Sequence, residues 1–222
     1  MASKSYYDNT SVIDEAIRTL RTNISFSSTD NKLKSLLITS TNPNEGKTSI
    51  TLMLARSMAL NGQKILLIDC DLRNPSVGKQ INVTSDIGIT NFLVQNTTQS
   101  EIVIKDEVSY NLDIILTGPI PPNPSELLGS QKMENFIHKA EEIYDLVIID
   151  SPPAGLLTDA QILSTIVDAT VLVIAQGETK REELQVTLQN LNNVEANILG
   201  IVFNKVKSKK NKSYGYGYHS KE

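Results

Sequence analysis

Unbroken apolar runs of strand length alternate along this chain with segments whose apolar positions recur every three to four residues. The runs are LKSLLITS (33–40), KILLID (64–69), LDIILTG (112–118), DLVIID (145–150), ATVLVIA (169–175) and ILGIVFNK (198–205). Between them the spacing predicts helices over SITLMLARSMALNGQ (49–63), closed by Asn61-Gly62, and near 87–95, 130–143, 158–166 and 180–194. A proline-rich connection, IPPNPSELL, leads into the third of these. Ahead of the first strand, Ile13, Ile17, Leu20 and Ile24 form one stripe of an amphipathic helix over about 12–27. Strands that are apolar throughout are covered on both faces, and their alternation with helices predicts an α/β fold: a mostly parallel sheet with helices on both sides. No linker or internal repeat interrupts the pattern, so the expectation is a single domain over 1–206, followed by a loose Lys- and Tyr-rich tail over 207–222.

Composition narrows the function. The chain has 222 residues, 40% of them hydrophobic, and a formal net charge of −4. An acidic chain is a poor coat for nucleic acid, which demands a basic face, so no nucleic-acid partner is expected. The single cysteine, Cys70, excludes an intrachain disulfide or a cysteine-built metal site within one chain and reads as core. The start, MASKSYYDNT, has no apolar signal-peptide core, and Ala2 lacks the myristoylation pattern. No run approaches the roughly 18 apolar residues of a spanning helix. The expectation is a soluble, cytoplasmic protein whose membrane association, if any, comes through a partner.

The chemistry begins at TNPNEGKT (41–48), between a predicted strand and a predicted helix. The phosphate-binding loop pattern is G-x-x-x-x-G-K-[ST]. Gly46, Lys47 and Thr48 match it, while Thr41 stands where the first glycine is expected. In such a loop, backbone N–H groups around Asn44, Glu45, Gly46 and Ser49 face phosphates at a helix N-terminus. Lys47 reaches the β- and γ-phosphates, and the Thr48 hydroxyl ligates Mg²⁺. Two further apolar runs end in carboxylates: ILLIDCDLR supplies Asp69 and Asp71, and DLVIIDSPP supplies Asp150. Any one of them reads as a turn cap. Three carboxylates in order behind a Gly-Lys-Thr loop, at strand ends where parallel sheets place ligands, point to a nucleoside triphosphate with its metal.

Together NPNEGKT, LLIDCDLR and LVIIDSPP resemble the three motifs of the bacterial tyrosine kinases, a family built on the P-loop fold. GPIPPNPSELL and GIVFNK also look like segments of that family, so the resemblance covers nearly the whole chain. It implies an ATP- and Mg²⁺-dependent protein-tyrosine kinase of capsular or extracellular polysaccharide synthesis and export, of the separate cytoplasmic type found in Gram-positive bacteria. It implies catalytic roles for Lys47, Asp69, Asp71 and Asp150, with Asp71 and Asp150 holding Mg²⁺ beside Thr48 and Asp69 accepting the tyrosine proton. Asn204 resembles the residue that contacts adenine. The implied partners are a membrane-anchored activator with a cytoplasmic C-terminal tail, which recruits the kinase to the inner face of the membrane, and a cognate tyrosine phosphatase.

Two peripheral motifs complete the resemblance. Tyr214, Tyr216 and Tyr218 stand where the family autophosphorylates, and their glycine spacers and flanking lysines are those of an extended, solvated tail. Glu15, Arg18 and Arg21 form the E-x-x-R-x-x-R pattern that mediates ring assembly in the family, and helical spacing puts them on one stripe. Phosphorylation adds about −1.5 to −2 charge per site, so three sites would reverse the sign of the tail and are expected to disassemble a homo-oligomeric ring. The rival reading is a partitioning- or cell-division-type P-loop ATPase switch without phosphotransfer. Such proteins usually carry a second lysine early in the loop; here none precedes Lys47 in TNPNEGKT, and the tyrosine tail has no place in that reading.

Overall fold

The computed structural model describes residues 3–27, 32–95 and 97–207. Residues 208–222, with Tyr214, Tyr216 and Tyr218, lie outside the described residues. The elements run α1 (Ser3–Phe26), β1 (Ser35–Ser40), α2 (Lys47–Leu60), β2 (Ile65–Asp69), α3 (Val77–Ile81), α4 (Ile89–Val94), α5 (Gln99–Ile102), β3 (Val103–Lys105), β4 (Leu112–Ile115), α6 (Pro124–Leu128), α7 (Gln131–Ile143), β5 (Leu146–Asp150), α8 (Asp159–Ser164), β6 (Ala169–Ala175), α9 (Arg181–Asn193) and β7 (Ile198–Asn204). They build a seven-stranded sheet of order β3-β4-β2-β5-β1-β6-β7, parallel except for β3.

Period-two alternation divides each central strand between two cores. Leu36, Ile38, Ile65, Leu67, Ile148 and Val171 face one side, where Leu54, Ala55 and Met58 of α2 and Ile24 of α1 cover them. Leu37, Leu66, Ile68, Val147 and Ile149 face the other, under Met133, Phe136, Ile137 and Ala140 of α7. Both faces being covered explains why these strands read as continuous apolar runs. Cys70 sits in the second core, and burial pushes its thiol well above its ordinary pKa.

All six predicted strands and the predicted helices form. The departures are informative. α1 begins at Ser3 rather than near residue 12, because its first residues, SKSYYDNT, carry no apolar stripe to mark them. Ile17 and Ile24 of the predicted stripe are buried, whereas Ile13 is about half exposed at 48%. β3 was not expected: three residues are too few to show a period, and the strand exists through its antiparallel pairing with β4, Val103 opposite Ile115. The short helices α3, α5 and α6 likewise lack the length for a pattern.

One ion pair ties the β3–β4 connection to α2. Arg56 donates through Nε and a terminal nitrogen to the two oxygens of Asp106, at 3.1 and 2.7 Å, and Ser109 N–H donates to the same carboxylate. The Asp106 side chain is only 2% exposed. Removing one member of such a pair strands a buried charge. With Arg56 itself partly solvated, Arg56→Ala is expected to cost about 2 kcal/mol, read as a lower urea midpoint at unchanged m-value.

Candidate functional site

Parallel strands all end on one edge, and the three central ones carry the expected chemistry there. β1 runs into the loop 41–46, while β2 and β5 end in Asp69 and Asp150, which are register partners on adjacent strands. α2 starts at Lys47, and its first turn lies against those carboxylates. Gly46 takes φ +90°, a left-handed conformation favouring glycine, and a Cβ there would meet Asn204 Nδ2 at 2.1 Å. Asn44 also has positive φ, at 62°.

Asp150 is wholly buried. Thr48 donates to its Oδ2 at 2.6 Å and Thr51 to its Oδ1 at 3.1 Å. Lys47 Nζ lies 3.7 Å from Asp150 and 3.0 Å from Asp71 Oδ2. Burial works to lower the Lys47 pKa, but Asp150 and Asp71 outweigh it, and the ammonium ends above its ordinary value. Asp150 is raised, by burial first, even though Lys47, Thr48 and Thr51 favour its charge. The structure thus brings Lys47, Thr48, Asp71 and Asp150 into one network.

Asp69 sits differently. Its carboxylate accepts from the N–H groups of Asp71, Ser76 and Val77 at 3.2, 3.1 and 3.0 Å, so it shapes the turn after β2. Glu45 is buried, and its carboxylate accepts from Asn42 and Thr179 within the protein. The Glu45 side chain is therefore engaged within the protein and not free to reach a ligand. Ser49 Oγ accepts from Gln80, and Asn204 Nδ2 donates to Glu45 O at 2.8 Å beside the loop. A cleft of about 490 Å³ opens over the loop and the start of α2, lined by Asn44, Gly46, Lys47, Thr48, Ser49 and Asp71 among others, while Glu45, Asp69, Asp150 and Asn204 are not among its lining residues.

Glu15 and Arg18 lie outside this site, on the exposed face of α1, 3.6 Å apart. Arg21 turns inward and donates to Ser57 O on α2 at 3.0 Å, so part of its hydrogen-bonding capacity is used within its own chain.

Several residues escaped the sequence reading. Thr51 was findable, since it follows Thr48 by three residues on the same helix face. Ser76, whose hydroxyl lies 2.7 Å from that of Thr48, and Thr179, whose hydroxyl donates to Glu45, come from distant segments and leave no local signal.

Burial, reinforced by the neighbouring Asp150, pushes Asp69 up to about 7. An unfolded carboxyl titrates near ~3.9. Between the two values the folded chain holds a proton that the unfolded chain has lost. Stability from this group is full below about pH 4 and declines as pH rises through about 7. The urea midpoint of the nucleotide- and metal-free protein is expected to fall between pH 5 and 7.5, with a shallower fall in Asp69→Asn.

Comparison with known proteins agrees with this geometry. Residues 34–201 match the AAA domain family. Tyrosine-protein kinase YwqD of Bacillus subtilis (strain 168) is 40% identical over 206 residues, covering 93% of this chain and 86% of its own. The putative tyrosine-protein kinase CapB of Staphylococcus aureus is 37% identical over 208 residues, covering 94% and 91%. Among solved structures, the kinase domain of Escherichia coli tyrosine kinase ETK superposes with a TM-score of 0.85 at 33% identity, covering 92% of this chain and 80% of that one. With a buried lysine–carboxylate network at its P-loop and relatives of this identity over almost its whole length, the chain belongs to the bacterial tyrosine-protein kinases, on an AAA domain.

Proposed function

We propose that this kinase transfers the γ-phosphoryl group of ATP to tyrosines of its own C-terminal cluster, Tyr214, Tyr216 and Tyr218, in the service of capsular or extracellular polysaccharide synthesis. The observation that carries the reading is the single network in which Lys47, Thr48, Asp71 and Asp150 meet at the P-loop. The donor set fits Mg²⁺, which favours one or two carboxylates, a hydroxyl and phosphate oxygens over a full protein cage. Thr48, Asp71 and Asp150 would hold it. When bound, Mg²⁺ neutralises charge on the β- and γ-phosphates.

The chain's own residues divide the remaining work. The N–H groups at the start of α2 and around Gly46 bind phosphate oxygens. Lys47, now resting on Asp71 and Asp150, exchanges those partners for phosphate and balances charge as the β–γ bond lengthens. Asp69, raised by burial to about 7, takes the phenolic proton of the acceptor tyrosine. Asn204, beside Gly46, contacts the base.

No helix among the described residues is long and apolar enough to cross a membrane. The proposed arrangement, drawn from the family resemblance, is recruitment to the inner face of the membrane by a separate anchored activator, with a cognate phosphatase resetting the tail. Glu15 and Arg18 on the exposed face of α1, with Arg21, are proposed to join subunits into a ring, so that one tail reaches its neighbour's site. The ATPase-switch alternative is not favoured, because relatives 40% and 37% identical over more than nine-tenths of this chain are named tyrosine kinases.

The test is incubation with ATP and Mg²⁺, with and without the activator's cytoplasmic tail, followed by mass spectrometry of the C-terminal peptide. Phosphate is expected on Tyr214, Tyr216 and Tyr218, falling at least ~100-fold in Lys47→Met. ATP hydrolysis with no modified tyrosine, even with the activator present, would move the protein to the ATPase class.

A further inference from the structure

Glu45 poses an electrostatic problem. It directly precedes Gly46-Lys47-Thr48, in a loop read here as the seat of a polyanion, yet it carries a carboxylate. A side chain free to turn toward the phosphates would repel them at close range, and inside a protein that repulsion is weakly screened. The structure holds it on the far side of the loop. Glu45 is 2% exposed. One carboxylate oxygen accepts from Asn42 N–H at 2.9 Å. The other accepts from the Thr179 hydroxyl, with the Asn42 amide at the edge of hydrogen-bond reach at 3.5 Å.

Thr179 belongs to none of the three motifs of the nucleotide site. It lies in the turn between β6 and α9, 134 residues beyond Glu45 in sequence. Its hydroxyl is pinned from both sides, donating to Glu45 and accepting from the N–H of Ala175, the last residue of β6, at 2.9 Å. A second clamp runs parallel: Asn42 donates to Glu183, in the first turn of α9, at 2.8 Å. The main chain of the same residue is held as well, since Asn204 donates to Glu45 O. The P-loop is thus fastened to β6, α9 and β7, on the side of the sheet away from Asp69.

We propose that Thr179 is a positioning residue for nucleotide binding: through its hydroxyl it keeps the Glu45 carboxylate turned out of the phosphate site. The hydroxyl touches neither nucleotide nor tyrosine. Its effect falls on the affinity for phosphate and not on the transfer step, because Lys47, Asp71 and Asp150 are held by other bonds. The inference rests on the kinase reading only for its kinetic readout; the binding readout stands without it.

The experiment compares the full-length protein with Thr179→Val, which keeps the shape and deletes the hydroxyl, and Thr179→Ser, which keeps the hydroxyl. Affinity for ATP and ADP is measured by calorimetry, and kcat and KM by tyrosine phosphorylation. Loss of one hydrogen bond to a carboxylate predicts about tenfold weaker ATP binding in Thr179→Val. KM rises in step, kcat stays within about twofold, and Thr179→Ser restores affinity. In a Glu45→Gln background, where the charge to be restrained is gone, Thr179→Val should change affinity by less than about twofold. Unchanged ATP affinity in Thr179→Val overturns the proposal. So does an equal loss in the Glu45→Gln background, which would make Thr179 a purely structural residue. If the unaltered protein binds ATP but forms no phosphotyrosine, the kinase reading falls while the calorimetric arms still decide the role of Thr179.

Discussion

A fully buried carboxylate is the constraint around which this end of the molecule is arranged. Asp150 closes the central strand of the sheet with no exposure to water. Left without partners, a buried ion costs several kcal/mol. All the compensation comes from one turn of α2, where Lys47, Thr48 and Thr51 converge on the two oxygens. That requirement fixes the start of α2 against the end of β5. It thereby fixes the loop 41–46, which must span from β1, the neighbouring strand, to the same point. Gly46 makes the span possible by taking a left-handed conformation in a place where a Cβ would run into Asn204.

The same arrangement accounts for a site that is both stable and ready to exchange partners. Three aspartates crowd the strand ends, and each is managed differently. Asp71 and Asp150 share the Lys47 ammonium. Asp69 takes three backbone N–H groups yet remains so desolvated, and so near Asp150, that it is raised to about 7. Under the proposed function, the two carboxylates now balanced by Lys47 would take a divalent cation once the lysine turns to a phosphate. A third carboxyl raised toward neutrality is suited to taking a proton. The chemistry follows from unequal burial and unequal partners, not from residue type alone.

Most of the fold was legible from the chain. Continuous apolar runs gave the six parallel strands because a doubly covered strand has no polar face to reveal. The helices of five residues or fewer, α3, α5 and α6, and the three-residue β3 were not legible, since none is long enough to show a period. The start of α1 was missed for a related reason: nothing apolar marks its first residues. Within the site, Lys47, Thr48, Asp71 and Asp150 could be named from motif spacing. Their convergence could not.

What the sequence determined alone is the chemical inventory and its order: a glycine-lysine-threonine loop before a helix, carboxylates at the ends of apolar strands, and three tyrosines spaced by glycine in the tail. These are local facts, carried by residue type and period. The tertiary structure decided which carboxylate is buried, which groups neutralise it and which way Glu45 faces. It turned Arg21 inward onto Ser57 while leaving Glu15 and Arg18 outside. It also brought Thr179 and Asn204 to a loop more than a hundred residues away. Such outcomes depend on strand order and on the desolvation that packing imposes, and neither is a property of any stretch of sequence read by itself.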